Sequence, residues 1–285
     1  MADTNPTVPK RRLGRALHEL REAAGMSRDD VAALLKCSDV KIIRIEKGQN
    51  SVQPLEFDAL VKAFKVTGKQ RAELEQLSKD ARKRRPRTTY GKVVPDWFKR
   101  YRDLEEIASE LRSYDTELIT GLLQTEDYAR ALIVANPLAT ASEVEQLVEA
   151  RIARQKQVLG GDDPITLWAI MAEGVIHNQV GGRSVLRNQL AHMLSLTEQP
   201  NITVQVAPFS AGAHAATGFG FILLRFPDSV GVDVVYQEDL TSASYLDRAN
   251  DPNRRHCVQV WERVVAAALS PKASTDLIHT VMREL

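Results

Sequence analysis

The sequence predicts an α+β protein in two parts: an all-α N-terminal domain of five helices, then a larger α+β domain built on one mixed or antiparallel sheet. Three observations carry that expectation. The first eighty residues set apolar positions at helical spacing between Ser, Pro and Gly punctuation. Beyond residue 90 the chain adds β-branched runs bounded by Gly, Pro, Asn or Asp. The charge also changes sign along the chain. Residues 1–90 hold 20 basic and 12 acidic side chains, a net of +8, and residues 91–285 hold 18 and 25, a net of −7. A whole-chain balance of 38 against 37 therefore averages a basic module with an acidic one.

Bulk features exclude several classes. At 285 residues, 44% apolar and 26% charged, the chain is not disordered, collagen-like or disulfide-dense. Cys37 and Cys257 are far apart and form no CxxC or Cys/His spacing, so neither a disulfide framework nor a zinc site is expected. A reduced cytoplasm is the simplest compartment, with nucleoid association when DNA is bound. No apolar run approaches the 18 or so residues of a membrane helix. Residues 1–10 read as a disordered arm, because Met1–Arg12 has two prolines and basic residues but no apolar stretch of a signal peptide.

The N-terminal domain is expected over residues 11–82. Leu13, Leu17 and Leu20 mark a first helix that Gly25 ends. Ser27, with Asp30 three residues on, is placed to cap a second helix over Arg28–Leu35. After Lys36-Cys37, Ser38 caps a third helix to about Lys47, closed by Gly48. Two short helices joined by such a turn form a helix-turn-helix unit. Pro54 opens a fourth helix with Leu55, Leu60, Val61 and Phe64. Lys69 to about Arg82 makes a fifth. Residues 83–92 follow as a basic linker, with five charges in Arg82–Arg87.

The third helix is the most informative. At 100° per residue Ile42 and Ile45 define a buried face. The opposite face carries Val40, Arg44 and Lys47, with Ile43 near its edge, Lys41 on one flank and Asp39 on the other. A face mixing Arg and Lys with β-branched apolar residues suits the major groove, where Arg reaches guanine acceptors and apolar groups touch the thymine methyl.

Leu13–Glu22, Gly25-Met26-Ser27, Val31–Leu35 and Ser38–Gly48, ending Ile42-Ile43-Arg44-Ile45-Glu46-Lys47-Gly48, resemble the XRE/Cro/C1-type helix-turn-helix family. The resemblance implies that Asp39, Val40, Ile43 and Arg44 read base edges. It places Arg28, Ser38, Lys41, Lys47 and Asn50 at phosphates. Phosphate contacts set register and affinity, and base contacts set sequence choice. Asp39 departs from the Gln or Ser often found at its position. Glu46 is implied to pair with Arg21 and fix the angle of the third helix.

In the acidic remainder, residues 93–285, Trp97, Phe98, Tyr101, Leu104, Ile107 and Leu111 mark a helix, and Tyr114–Leu123 an irregular connection. Thr125 caps a helix through Ala135. Ser142 with Glu145 forms a capping box for a long helix to about Leu159, followed by a turn at Gly160–Pro164. Strands are expected at Ile165–Ala172, Ile202–Ala207, Phe219–Phe226, Val232–Gln237 and Ser242–Leu246. Helices are expected at Gly182–Leu196, Pro252–Leu269 and Pro271–Leu285.

Chemistry is sparse here. Glu173 and His177 lack further metal ligands, His214 lacks a nucleophile by spacing, and neither Gly160-Gly161 nor Gly181-Gly182 has the Lys and Ser/Thr of a phosphate loop. No catalytic or metal residue and no cofactor is assigned, and an enzyme is not expected. Loops between strands favour a sensory pocket instead, with Trp97, Tyr101, Gln124, Tyr128, Phe209, His214 and Phe219 as candidates.

Trp97-Phe98, Gly121–Arg130, Arg151-x-x-Arg154-Gln155, Asn201–Phe209 and Gly212-Ala213-His214 look like the WhiJ-like (Scr-type, antitoxin-like) actinobacterial transcriptional regulators. That resemblance implies transcriptional control, sometimes with a small partner protein. The expected partners are double-stranded DNA, a second copy of the chain in a homodimer on a palindromic operator, and either a small-molecule effector or a small basic protein on the acidic domain. An antitoxin-like or scaffold role with DNA binding for autoregulation stays open as the alternative.

Overall fold

The computed structural model describes residues 7–83, 94–135, 139–160, 164–227, 230–239, 241–248 and 250–285, with the side chain of residue 96 left aside. Contacts group the chain into two units, residues 1–87 with 226–232 and residues 88–225 with 233–285. Of the expected linker over 83–92, residues 84–92 lie outside the described residues, as do residues 161–163 of the turn before Pro164.

The first unit contains five helices: α1 Thr7–Ala23, α2 Arg28–Leu35, α3 Asp39–Glu46, α4 Pro54–Ala63 and α5 Gly68–Ala81. Helix α1 starts at Thr7 rather than near Leu13, so residues 7–10 of the expected arm are helical. Pro9 sits in its first turn, where the missing N–H has no intrahelical partner to lose. Leu13, Leu17, Val31, Ile42, Ile45, Phe57, Leu60, Val61 and Leu74 form one buried cluster. Arg82 ties the end of α5 back to it, donating to the Val52 carbonyl (3.1 Å) and to the buried Ser78 hydroxyl (2.6 Å).

The second unit holds a six-stranded mixed sheet in the order β3-β2-β1-β4-β5-β6. Its elements run α6 Asp96–Glu105, β1 Glu110–Asp115, a 3-10 turn at Gly121–Leu123, α7 Glu126–Val134, α8 Ala141–Leu159, β2 Thr166–Ala172, α9 Glu173–His177, α10 Arg183–Leu196 and β3 Ile202–Ala207. A 3-10 turn at Phe209–Ala211, β4 Phe221–Arg225, β5 Val234–Glu238, β6 Ala243–Leu246, α11 Pro252–Ala267 and α12 Pro271–Glu284 complete it. Strands β1, β2 and β3 are parallel, and β4, β5 and β6 pair antiparallel.

The central strand is the main departure from expectation. Helix α6 stops at Glu105, and Leu111 together with Tyr114 and Asp115 belongs to β1 instead of to a helix and an irregular connection. Glu110-Leu-Arg-Ser-Tyr-Asp is too polar to read as a buried strand. Pairing with β2 on one side and β4 on the other satisfies its backbone and overrides that weak propensity. The long-helix cap also shifts. Thr140 and Glu143 form the capping box of α8, although Ser142 and Glu145 have the same spacing two residues later. Glu145 pairs with Arg130 across to α7 instead.

Side chains alternate across the sheet. Tyr114, Ile170, Phe221, Leu223 and Val235 pack on Val260, Trp261 and Val264 of α11. Tyr236, on the other face, meets Tyr101 of α6 with ring centroids 4.4 Å apart. Leu111, Ser113 and Asp115 therefore point toward the α6 side. Burial pushes the Asp115 carboxyl up to about 7, against a smaller opposing pull from the Ser113 hydroxyl, and its Oδ2 has no partner among the described residues. A raised acid favours folding below its unfolded value of about 3.9, and that contribution is lost as pH rises through 7. Asp115→Asn is thus expected to gain stability over the native chain between pH 5 and pH 8. Melting temperatures at both pH values check this, and a difference that does not grow with pH contradicts it.

Candidate nucleic-acid interface

The turn between α2 and α3 is set by local chemistry. Ser27 caps α2 in a reciprocal box with Asp30, whose carboxylate accepts from the Ser27 amide at 2.8 Å. Lys36 takes a left-handed conformation (φ 52°) at the end of α2. Ser38 then caps α3, its hydroxyl accepting from the Lys41 amide at 3.4 Å.

Helix α3 buries Ile42 and Ile45 and turns the rest outward. Asp39, Val40 and Arg44 are exposed, with Val40 at 48%, and Lys41, Ile43, Lys47 and Asn50 are half-buried. The four residues assigned to base reading thus share the outer surface of one short helix. Leu34 of α2 adds a further exposed apolar side chain.

Glu46 is the anchor of α3. Its carboxylate receives Arg21 Nε at 2.5 Å and Arg28 Nε at 2.9 Å, with His18 Nδ1 at 3.3 Å. Arg21 also donates to the Met26 carbonyl at 2.9 Å, so one buried guanidinium ties α1, the α1–α2 turn and α3 together. Burial works to raise the Glu46 carboxyl, but hydrogen bonds from Arg21 and Arg28 outweigh it and hold the group below its ordinary value.

Arg28 and Lys41, both assigned to phosphate, are ion-paired within the protein. Arg28 bonds Glu46, and Lys41 bonds Glu56, a side chain that also accepts from the Gln53 amide at 3.0 Å and so caps α4. Sequence reasoning did not single out Glu56, His18 or Gly14. The ion pairs of the first two lack a local pattern, since the charged partners lie 15 and 28 positions away in sequence. Gly14 had a signal, a lone glycine inside a helix. A Cβ there would lie 2.4 Å from the Ile45 carbonyl and 2.7 Å from that of Glu46, so α1 and the end of α3 cross at glycine distance. Gly14→Ala must push α3 away. It is expected to destabilise the helical unit by about 1–3 kcal/mol, read as faster amide exchange in α3, and unchanged exchange contradicts the crossing argument.

The seven residues proposed for a pocket fall on two sides of the larger unit's sheet. His214 Nε2 lies 3.0 Å from the Tyr114 hydroxyl, on the α11 side, whereas Tyr101 packs on Tyr236 on the other. Gln124 and Tyr128 are buried, with Gln124 donating to the Ile119 carbonyl (2.6 Å) and the Tyr128 hydroxyl accepting from the Ile119 amide (3.3 Å). The carbonyl of Trp97 accepts from Tyr245. Phe209 and Phe219 are exposed at 68% and 70%. Glu173 and His177 form the ends of α9 and lie 3.6 Å apart. No group of three or more metal-ligating side chains occurs among the described residues. No described helix is long and apolar enough to cross a membrane.

Comparison with known proteins gives two matches. Residues 12–74 match the model of a helix-turn-helix domain, and that domain suggests a DNA-binding regulator. Residues 98–280 match the model described as a domain of unknown function, DUF5753. No curated protein and no solved structure matches. The second match spans well over half of the chain, which therefore belongs to the DUF5753 family, here with a helix-turn-helix domain ahead of the family domain.

Proposed function

We propose that the protein is a cytoplasmic, sequence-specific transcriptional regulator that binds a palindromic operator as a homodimer and has no enzymatic activity of its own. The observation that carries this reading is α3, an eight-residue helix with two buried isoleucines and an outer face of Asp39, Val40, Ile43 and Arg44. One such helix reads few base pairs, and a two-fold dimer presents two, with half-sites about 10 bp apart or a multiple of that. Arg44 suits a guanine, and Val40 and Ile43 suit thymine methyl groups. Lys47, Ser38 and Asn50 take phosphates. Arg28 and Lys41 do so by exchanging Glu46 and Glu56 for the DNA backbone.

The larger domain, in this reading, supplies dimerisation and a surface for an effector or partner. Its acidic balance, 18 basic against 25 acidic side chains beyond residue 90, favours a second reading in which a small basic protein binds there and DNA contact serves autoregulation. Co-purification of one stoichiometric small protein from the native host supports the second reading over an effector-responsive regulator.

Arg44→Ala tests the central assignment. It is expected to weaken specific binding by about 1–3 kcal/mol and to relax base choice at one position of each half-site. Competition binding against single-base variants of the operator measures both effects. Unchanged affinity and base preference would remove α3 from the interface.

A further inference from the structure

We propose that Arg151, with Arg102 and Arg154 beside it, forms a binding site for the oxyanion of a small ligand, a carboxylate or phosphate group, on the α6 side of the sheet. Arg151 and Arg154 lie three residues apart on α8 and so share one face. Arg154 has a bidentate carboxylate partner: Nε and Nη2 donate to the two oxygens of Glu105 at 2.7 and 2.6 Å, and the guanidinium lies over the rings of Phe98 and Tyr101. Arg151 has no such partner among the described residues. Its one side-chain hydrogen bond runs from Nη1 to the neutral Oε1 of Gln124 at 2.7 Å, although a guanidinium carries five donors. Arg102 on α6 has no carboxylate within salt-bridge distance among the described residues.

The charges do not balance locally. Of the three guanidinium groups only that of Arg154 contacts Glu105 among the described residues, and the Glu238 carboxylate, farther off, accepts from the Tyr236 hydroxyl at 2.8 Å. Arg151 is left without a carboxylate in bonding contact among the described residues. Burial and the neighbouring charge of Arg154 draw the Arg151 guanidinium down to about 10, and the same two causes lower Arg102. A charge held at such a disadvantage is stabilised most by an anion, and a guanidinium matches a carboxylate or phosphate bidentately.

Placement agrees with this. Gln124 lies in the turn that follows the carboxyl end of β1, the strand from which β2 and β3 extend on one side and β4 to β6 on the other. Crevices at the carboxyl ends of strands where the order turns are where open sheets bind ligands. Arg151 itself is half-buried, so it is reachable from solvent. The inference concerns the larger unit alone and is independent of DNA binding.

The test is thermal unfolding of the full chain at neutral pH and constant ionic strength, with chloride replaced stepwise by acetate or by inorganic phosphate. A site gives a melting temperature that rises and saturates, whereas general exclusion of phosphate from protein surfaces gives a rise that does not saturate. Saturation by acetate identifies a carboxylate site, and saturation by phosphate alone a phosphate site. Arg151→Gln is expected to raise the midpoint about tenfold or more, by loss of charge-assisted hydrogen bonds, while Arg187→Gln, at an exposed position, leaves it unchanged. If Arg151→Gln does not fold, Arg102→Gln carries the comparison, with a weaker midpoint expected. Absence of saturation by both anions, or Arg151 and Arg102 variants that respond to the anion as the native chain does, overturns the proposal.

Discussion

Glu46→Ala is expected to lower the stability of the helix-turn-helix unit by about 3–5 kcal/mol, the usual penalty for leaving one member of a buried pair alone. Arg21 is 5% exposed and Glu46 9% at the side chain, so water cannot replace the lost carboxylate. Arg28 loses its partner at the same time. Because the pair fixes α3 against α1, DNA affinity should fall with stability, even though Glu46 itself need not touch DNA. Amide exchange in α3, followed in the full chain, isolates this effect from the larger unit. Replacing Arg21 and Glu46 together by apolar residues of similar size should recover most of the stability. A single variant as stable as the native chain contradicts the anchoring role.

The pair also sets a pH dependence. The folded Glu46 carboxyl lies below its ordinary value, so its stabilisation is present above the unfolded value of about 4.3. It is lost as pH falls below that, through the folded value. Acid should therefore loosen α3, and Glu46→Ala should lack this loss.

The second large effect belongs to the other unit. Glu105→Ala is expected to cost about 3–5 kcal/mol there, since Arg154 would remain buried among Phe98, Tyr101 and Tyr236 without its bidentate partner. Trp97, Trp168 and Trp261 are the three tryptophans of the chain, and all lie in this unit. Intrinsic fluorescence in a urea titration thus reports it directly. Glu105→Ala should shift the midpoint to lower urea, and exchange in α1 to α5 should stay as in the native chain. An unchanged fluorescence midpoint contradicts the account of this pair.

The helical unit was legible in sequence because its signals are local. Ser27 with Asp30, Ser38, Pro54 and the Ile42–Ile45 spacing each act within one turn, and the helices start where these residues place them. The Arg21–Glu46 contact lies 25 residues apart and came from resemblance, not from spacing. The roles of Glu56 and Gly14 were not legible, since each depends on which helices cross and how closely. In the larger unit, β2 to β5 announced themselves by β-branched or aromatic runs, whereas β1 carries Glu110, Arg112, Ser113 and Asp115 and owes its conformation to neighbours on both sides. Among the candidate pocket residues, Tyr101, Gln124 and Tyr128 read as functional by type but have buried structural contacts, and His214 lies on the opposite face from Tyr101. The Arg151-x-x-Arg154-Gln155 spacing was visible; what was not is that Arg154 finds a carboxylate while Arg151 finds only an amide.

Selection of binding sites from random double-stranded DNA by the full-length protein tests the central claim most directly. The account predicts enrichment of an inverted repeat with half-sites about 10 bp apart or a multiple of that, lost or altered at one position per half-site in Arg44→Ala. Recovery of no enriched sequence, or of the same sequence by the native chain and by Arg44→Ala, contradicts it.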